Sequence, residues 1–238
     1  MGHAGMGTDY SYPMNSREAI LYCLNLGMDG SEFDVQLTND SVLVAFHDKN
    51  LSPNTTLSGV INSLNWSEIQ KGRYVQIPYS NYSITSLEDL FSNIPNIHQY
   101  TYTFDCKLVT EKDKLQFKAS FMNAVINIIE KYQLENHVCI ESQDEGFLHW
   151  FKTKKNYRFF LYPENFEDGM YYASNWGLCG LSMSTHNITK DQIKYAHDRN
   201  LMIAVWDVHT QAENIDAIKK NPDFIQSDEV KHLKKLLK

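Results

Sequence analysis

The chain has 238 residues, 42% of them hydrophobic, and a formal net charge of -7. The acidic balance argues against nucleic acid as a partner, and no apolar run approaches the roughly 18 to 20 residues that span a bilayer. The length suits one α/β barrel, so we expect a single domain over residues 1–238. Nothing in the composition indicates an oligomeric state.

The start of the chain is short for such a fold. Only Met1 and Gly2 precede His3, where a barrel needs a full first strand, and no signal peptide is visible. We therefore expect that an N-terminal segment, such as an export signal, is missing. An exported or periplasmic protein and a cytoplasmic one would then share the remaining sequence, so the localisation stays open.

The first regular elements are a helix and a hairpin. Asn15 or Ser16 caps a helix whose apolar residues recur at helical spacing, and Gly27 ends it. Strand-like runs follow at 30–36 and 42–46. Because a parallel crossover needs a dozen or more residues, the short turn between them predicts an antiparallel hairpin.

The hairpin has a consequence for the residues at its ends. It brings His47, which follows the second run, back toward Asp34 on the first. The stretch at about 50–84 is rich in Ser, Asn and Tyr and has few strong periodic runs. We expect it to be a loop-rich insertion over the same region.

Beyond the insertion the chain alternates between strands and helices. Strand-like runs lie at 101–107, 138–142, 158–162, 179–183, 202–208 and 223–227, with helical patterns at 86–91, 112–133, 144–155, 165–175, 189–200 and 211–220. With a first strand ending at His3 and the run at 30–36, these make eight parallel strands and one hairpin arm. This order predicts a closed (β/α)8 TIM barrel of the α/β class.

Carboxylates collect at the predicted carboxyl ends of neighbouring strands, where barrel active sites lie. Glu32 and Asp34 are two residues apart on one strand, so their side chains share a face, and Asp105 ends the next barrel strand. Such carboxylates repel each other unless a cation lies between them. Their oxygens suit a hard divalent cation, Mg²⁺ or Ca²⁺.

Basic side chains lie at the same strand ends. Lys107 shares a face with Asp105 and would be a point charge for a phosphate. His3 and His47 would act in opposite directions: one attacks or deprotonates, and the other protonates the leaving alkoxide. The combination predicts metal-assisted cleavage of a phosphate ester.

Three later strand-end side chains are further candidates. Glu141 and Asp207 join the candidate site residues because their carboxylates lie at the same predicted end of the barrel. Trp206 has two interpretations, a core residue or an aromatic wall for an apolar or choline-like group. Each motif alone is commonly a surface pair or a turn, and it is their joint placement that favours a function.

These motifs resemble those of the glycerophosphodiester phosphodiesterase family over nearly the whole chain. The resemblance rests on Gly2-His3-Ala4-Gly5, an Asn-containing turn at Asn15, the Glu-x-Asp-Val-x-Leu-Thr-x-Asp segment from Glu32 to Asp40, His47-Asp48, Asp105 with Lys107, Val205-Trp206-Asp207-Val208 and Ser227-Asp228.

The resemblance implies a TIM barrel that hydrolyses glycerophosphodiesters to glycerol 3-phosphate and an alcohol, with a divalent cation and two histidines. Carried over to this sequence, it implies an acid/base pair in His3 and His47, metal ligands in Glu32, Asp34 and Asp105, and a phosphate ligand in Lys107. Asn15 becomes a further candidate. The implied substrate is a small molecule of lipid or glycerol metabolism.

Two departures keep alternatives open. Ala4 stands where the family has an arginine, which removes one phosphate clamp, and Asp105 stands where glutamate is more frequent. Both features resemble the related phospholipase D toxins, so an enzyme acting on lysophospholipids or sphingomyelin is the second hypothesis. The third is a binding protein on a catalytically weak or inactive barrel.

Overall fold

A computed structural model describes residues 1–8 and 11–237 of the chain. The helices are α1 (Arg17–Asn25), α2 (Trp66–Ile69), α3 (Leu87–Asn93), α4 (Lys114–Tyr132), α5 (Glu145–Lys152), α6 (Phe166–Trp176), α7 (Lys190–His197), α8 (Gln211–Lys220) and α9 (Val230–Leu236). The strands are β1 (Gly30–Leu37), β2 (Leu43–Ala45), β3 (Thr85–Ser86), β4 (Thr101–Cys106), β5 (Val138–Ser142), β6 (Arg158–Leu161), β7 (Gly180–Ser184), β8 (Met202–Val208) and β9 (Phe224–Ser227).

The strands form one sheet in the order β3-β2-β1-β4-β5-β6-β7-β8-β9. All neighbouring strands from the pair β1–β4 to the pair β8–β9 are parallel, and helices connect these strands along the chain. Gly2 joins the two ends of this parallel series through single bridges to Ser31 of β1 and Ser227 of β9. The predicted (β/α)8 TIM barrel is therefore confirmed, with Gly2 in the place of its first strand.

The first strand expected to end at His3 is not a regular strand. A bridge at one residue replaces it, and backbone bonds on both sides hold it: Glu32 N donates to Gly2 O over 2.8 Å, and His3 N donates to Ser227 O over 3.1 Å. There is no room for a side chain at Gly2, because a Cβ atom there would lie 1.8 Å from the carbonyl oxygen of Gly5.

The hairpin arm has the predicted antiparallel register, with Val35 opposite Ala45. The structure adds the two-residue strand β3, which pairs with β2 and was not expected from the sequence. The stretch before it is largely irregular, as predicted, although it contains α2. It packs against β2 through an apolar cluster of its own, which includes Phe46, Ile61 and Tyr74.

The main core lies between the outer face of the sheet and the helices. Phe33, Phe104 and Ile140 are fully buried in it, each one residue away from a polar side chain on the opposite face of its strand. The alternation therefore places apolar residues toward the helices and leaves the other face for the site. No helix in the described part of the chain is long and apolar enough to cross a membrane.

Candidate active site

Three buried carboxylates meet at the carboxyl ends of β1 and β4. Glu32 and Asp34 lie on one face of β1, and the parallel register sets Asp34 opposite Asp105. Each residue is 8% exposed or less, and one oxygen from each carboxylate lies within 4.8 Å of the others. The structure thus brings together the three side chains that the sequence grouped.

Asn15 holds Asp34 from the turn before α1. Its side-chain amide donates to Asp34 Oδ2 over 2.7 Å, and its carbonyl oxygen accepts from the backbone N–H of Asp34 over 2.9 Å. Asn15 has a φ of +63°, a left-handed conformation that asparagine tolerates better than most residues. Ser16 caps α1 by accepting from Ala19 N, which leaves the side chain of Asn15 for the site.

His3 lies between Asp228, directly after β9, and Glu32. Its Nδ1 is 2.6 Å from Asp228 Oδ1, and its Nε2 is 3.9 Å from Glu32 Oε2. Burial alone would lower the pKa of His3, but the hydrogen bond with Asp228 and the charge of Glu32 outweigh it and raise the pKa to about 10. The two carboxylates therefore favour the protonated form of the His3 imidazole.

A second histidine extends this hydrogen-bond network outward. His209 Nδ1 bonds the other oxygen of Asp228, and its Nε2 lies 2.6 Å from Asp207 Oδ1. Asp207 also accepts from Ser184 Oγ over 2.8 Å. The candidate Asp207 is thus linked to His3 through His209 and Asp228, and it belongs to the outer part of the site.

His47 reaches the site from the hairpin arm. Phe46 N donates to Asp34 O over 3.0 Å, and Gln36 Nε2 donates to the backbone carbonyls of Phe46 and Asp48 over 2.8 and 2.9 Å. These bonds fix the backbone around His47, whose Nδ1 lies 2.9 Å from Asp48 Oδ1. The imidazole is 56% exposed, so it can meet a substrate from the solvent side.

Lys107 is the cation nearest the carboxylates. Its Nζ lies 2.5 Å from Asp105 Oδ2 and 3.1 Å from Asp34 Oδ1. Burial would raise the pKa of Asp34, but Lys107 and the two site histidines lower it. Burial and the neighbouring Asp34 charge raise the pKa of Glu32 well above its usual range. Full ionisation of the cluster is therefore costly unless a cation offsets its charge.

Glu141 lies next to this cluster on β5. It pairs in register with Asp105 and is 3% exposed. Burial, followed by the charge of Asp105, raises the pKa of Glu141 to about 7. Gln226 Nε2 donates to its Oε2 over 3.1 Å. A carboxyl group with this pKa changes its protonation near neutral pH.

Trp206 lies on β8, where its ring packs on Tyr162 with centroids 4.9 Å apart. Both side chains line a cavity at the carboxyl ends of the strands. Trp206 is half-buried and lines this cavity, and its role as an aromatic wall for a substrate group stays a prediction.

The arrangement combines a buried carboxylate cluster, a lysine and two histidines at the carboxyl ends of barrel strands. Such a set can bind a hard cation, hold an anionic group and transfer protons. The sequence matches the Glycerophosphoryl diester phosphodiesterase family over residues 3–235. The chain belongs to this family.

Individual curated proteins match parts of the chain. A Mycobacterium tuberculosis protein named "Probable glycerophosphodiester phosphodiesterase 2" is 32% identical over 145 residues, which cover 61% of this chain and 48% of that protein. A mouse lysophospholipase D is 34% identical over 90 residues, which cover 34% of this chain and 27% of that protein. The chain thus spans about half the length of the first relative and about a quarter of the second.

A solved structure extends the likeness to the whole fold. It is an Oleispira antarctica phosphodiesterase in complex with the product sn-glycerol-3-phosphate. The TM-score is 0.84 at 14% sequence identity, and the match covers 99% of this chain and 95% of that one. At this identity the comparison shows that the two chains share the barrel fold.

His209 and Asp228 have a place in the site that the sequence does not predict, although Asp228 is part of the family resemblance. Both lie just after the carboxyl ends of β8 and β9, the same strand-end signal that identified Asp105. Their link to His3 depends on barrel closure, which joins residues 225 positions apart. The strand-end rule places both residues with the other candidates, but it does not predict their contact with each other or with His3.

Proposed function

We propose that this chain hydrolyses glycerophosphodiesters to glycerol 3-phosphate and an alcohol, with a divalent cation bound by Glu32, Asp34 and Asp105. The observation that carries the proposal is the buried carboxylate cluster with Lys107 and His3 in contact with it. Membership of the family and the name of the Mycobacterium tuberculosis relative support the same activity.

The carboxylate cluster fits a hard divalent cation. Its three oxygens lie within 4.8 Å of each other, and when all three carboxylates are ionised they carry more charge than the adjacent Lys107 and His3 offset. Buried charges of one sign are costly unless a cation offsets them. Mg²⁺ or Ca²⁺, which prefer carboxylate oxygens, would polarise a phosphoryl oxygen and stabilise the negative charge that develops on it.

His3 and His47 are proposed to carry the two proton transfers of hydrolysis. The attacking water loses a proton as its oxygen bonds to phosphorus, and the alcohol oxygen gains one as the P–O bond breaks. Asp228 engages Nδ1 of His3, and Asp48 engages Nδ1 of His47. These contacts orient each ring and leave its Nε2 for the substrate or the water.

Lys107 is proposed as the phosphate ligand. Ala4, which stands at the position of the family's arginine, is fully buried and has no cationic side chain. Its backbone N–H donates to Glu32 Oε2 over 2.8 Å, so this residue orients a proposed metal ligand instead. The charge that balances the phosphate must then come from Lys107 and the cation.

The test is release of glycerol 3-phosphate from glycerophosphocholine and glycerophosphoglycerol, measured with Mg²⁺, with Ca²⁺ and with EDTA. We expect cation-dependent release that falls by roughly 100-fold or more in His3→Gln and in His47→Ala. His98→Ala is the matched control, because His98 lies just before the amino end of β4, at the opposite end of the barrel. No diester hydrolysis with either cation would refute the proposal.

A substrate with an activated leaving group shows which histidine is the general acid and which is the general base. A p-nitrophenyl ester of glycerol phosphate needs little protonation of its leaving oxygen. The variant that loses the general acid should recover most of its rate on this ester, while the variant that loses the base should stay slow. Equal recovery or equal loss in His3→Gln and His47→Ala would contradict a division of roles.

A lysophospholipid is the second candidate substrate, and one observation favours it. A largely apolar cavity of about 710 Å³ lies beside His47 and is lined by the aromatic side chains of Tyr12, Phe46, Tyr74 and Tyr79. Ile77 also lines this cavity and is 92% exposed. The mouse relative is a lysophospholipase D. Such a substrate predicts choline release from lysophosphatidylcholine. Ile77→Asp should then lower kcat/KM for lysophosphatidylcholine more than for glycerophosphocholine.

A further inference from the structure

A second cavity, of about 650 Å³, opens at the carboxyl ends of β5 to β8. Tyr162, directly after β6, and Trp206 on β8 form one wall, with their ring planes at 57°. Tyr172 of α6 adds a third aromatic ring to the lining. The cavity therefore presents aromatic surface on more than one side.

The charged residues of this cavity all have the same sign. Glu145, Glu164 and Asp168 line it, and none of the described lining residues is lysine or arginine. Glu145 and Asp168 also lie in the first turns of α5 and α6, where the helix dipole stabilises carboxylates. Glu164 precedes α6 and is exposed, and no hydrogen bond or ion pair to another described residue ties up its carboxylate.

The cavity adjoins the proposed phosphate position. Trp206 pairs in register with Ser184, which donates to Asp207 and so joins the network that ends at His3. On the other wall, Tyr162 N donates to Ser142 O over 3.0 Å. Burial raises the pKa of Tyr162, and the charges of Lys107 and Asp105 also act on it. A group bound here would lie next to the phosphate.

We propose that this cavity binds the positively charged amino-alcohol group of the substrate, of which choline is the reference case. Aromatic faces attract a cation through their quadrupole, and carboxylates without basic partners add to the attraction. A neutral or anionic alcohol would gain neither contribution. This inference rests on the proposed diester hydrolysis and names the class of diester that the site selects.

The test compares kcat/KM for glycerophosphocholine with kcat/KM for glycerophosphoglycerol, whose alcohol is neutral. The wild type should prefer the choline diester. Glu164→Gln and Tyr162→Leu should each lower the choline-to-glycerol ratio by roughly two- to fivefold, which corresponds to the loss of one exposed cation–π or charge contact. Glu167→Gln is the matched control, because Glu167 lies on α6 but outside the cavity lining. Its ratio should equal that of the wild type.

A binding measurement separates this inference from the proposed activity. Choline chloride is titrated into the protein while tryptophan fluorescence is recorded, with sodium chloride at equal ionic strength as the reference. Choline-specific quenching that weakens in Glu164→Gln supports the cavity even if no diester is hydrolysed. The absence of choline binding, or an unchanged choline-to-glycerol ratio in both cavity variants, would overturn the inference.

Discussion

Replacing Glu141 by glutamine should make the protein more stable at alkaline pH and should have little effect at acid pH. Burial, followed by the charge of Asp105, raises the pKa of Glu141 from its usual value of 4.5 to about 7 in the folded protein. The folded state therefore holds this proton more tightly than the unfolded state. The stabilising contribution is full below pH 4.5 and is lost as pH rises through 7. Between pH 5 and 8 the loss is roughly 2 to 3 kcal/mol.

Glutamine keeps an oxygen acceptor for Gln226 Nε2 but carries no titrating proton, so this loss should be absent in the variant. The assay is guanidinium unfolding of both proteins in EDTA from pH 5 to 8, with exposed Glu135→Gln as the control. The difference in free energy of unfolding between variant and wild type should rise by roughly 2 to 3 kcal/mol over this range. A difference that does not change with pH would show that Glu141 is not destabilised by burial and by Asp105.

Three further changes test other parts of the site. Asp228→Asn should lower the pKa of His3, measured by NMR titration of the imidazole, because it removes the charge that accepts the Nδ1 hydrogen bond; an unchanged pKa would contradict this. Gly2→Ala should destabilise the barrel by roughly 1 to 3 kcal/mol in the same unfolding assay, whereas Gly146→Ala, where a Cβ atom meets nothing closer than 3.6 Å, should not. A divalent cation at 100 times its Kd should stabilise the wild type by about 2.7 kcal/mol; equal stabilisation of Asp34→Asn would place the ion elsewhere.

The barrel could be predicted from the sequence because its repeating units are local. Each strand is marked by a short apolar run, and each helix by a periodic face and a cap such as Ser16. The carboxylate pair of Glu32 and Asp34 could be grouped for the same reason, since two-residue spacing on a strand fixes their common face. The position of Asp105 beside this pair could be predicted because the carboxyl ends of parallel strands meet at one edge of the sheet.

The parts that escaped prediction depend on contacts between distant segments or on very short elements. β3 has two residues, too few for a periodic signal, and it forms because β2 offers an unpaired edge. The interaction of His209 with Asp228 requires the last two barrel strands to be adjacent. Trp206 could not be assigned to core or cavity, because its exposure depends on how Tyr162 packs against it.

Closure of the barrel and assembly of the site are one structural event. Gly2 bridges β1 and β9, and the next residue, His3, contacts Glu32 on β1 on one side and Asp228 after β9 on the other. A change that loosens Gly2 therefore displaces His3 from both carboxylates. His47 depends instead on the hairpin arm and on Gln36, which leave the closure intact. Of the two histidines, His3 is thus the one whose position reports whether the barrel is closed.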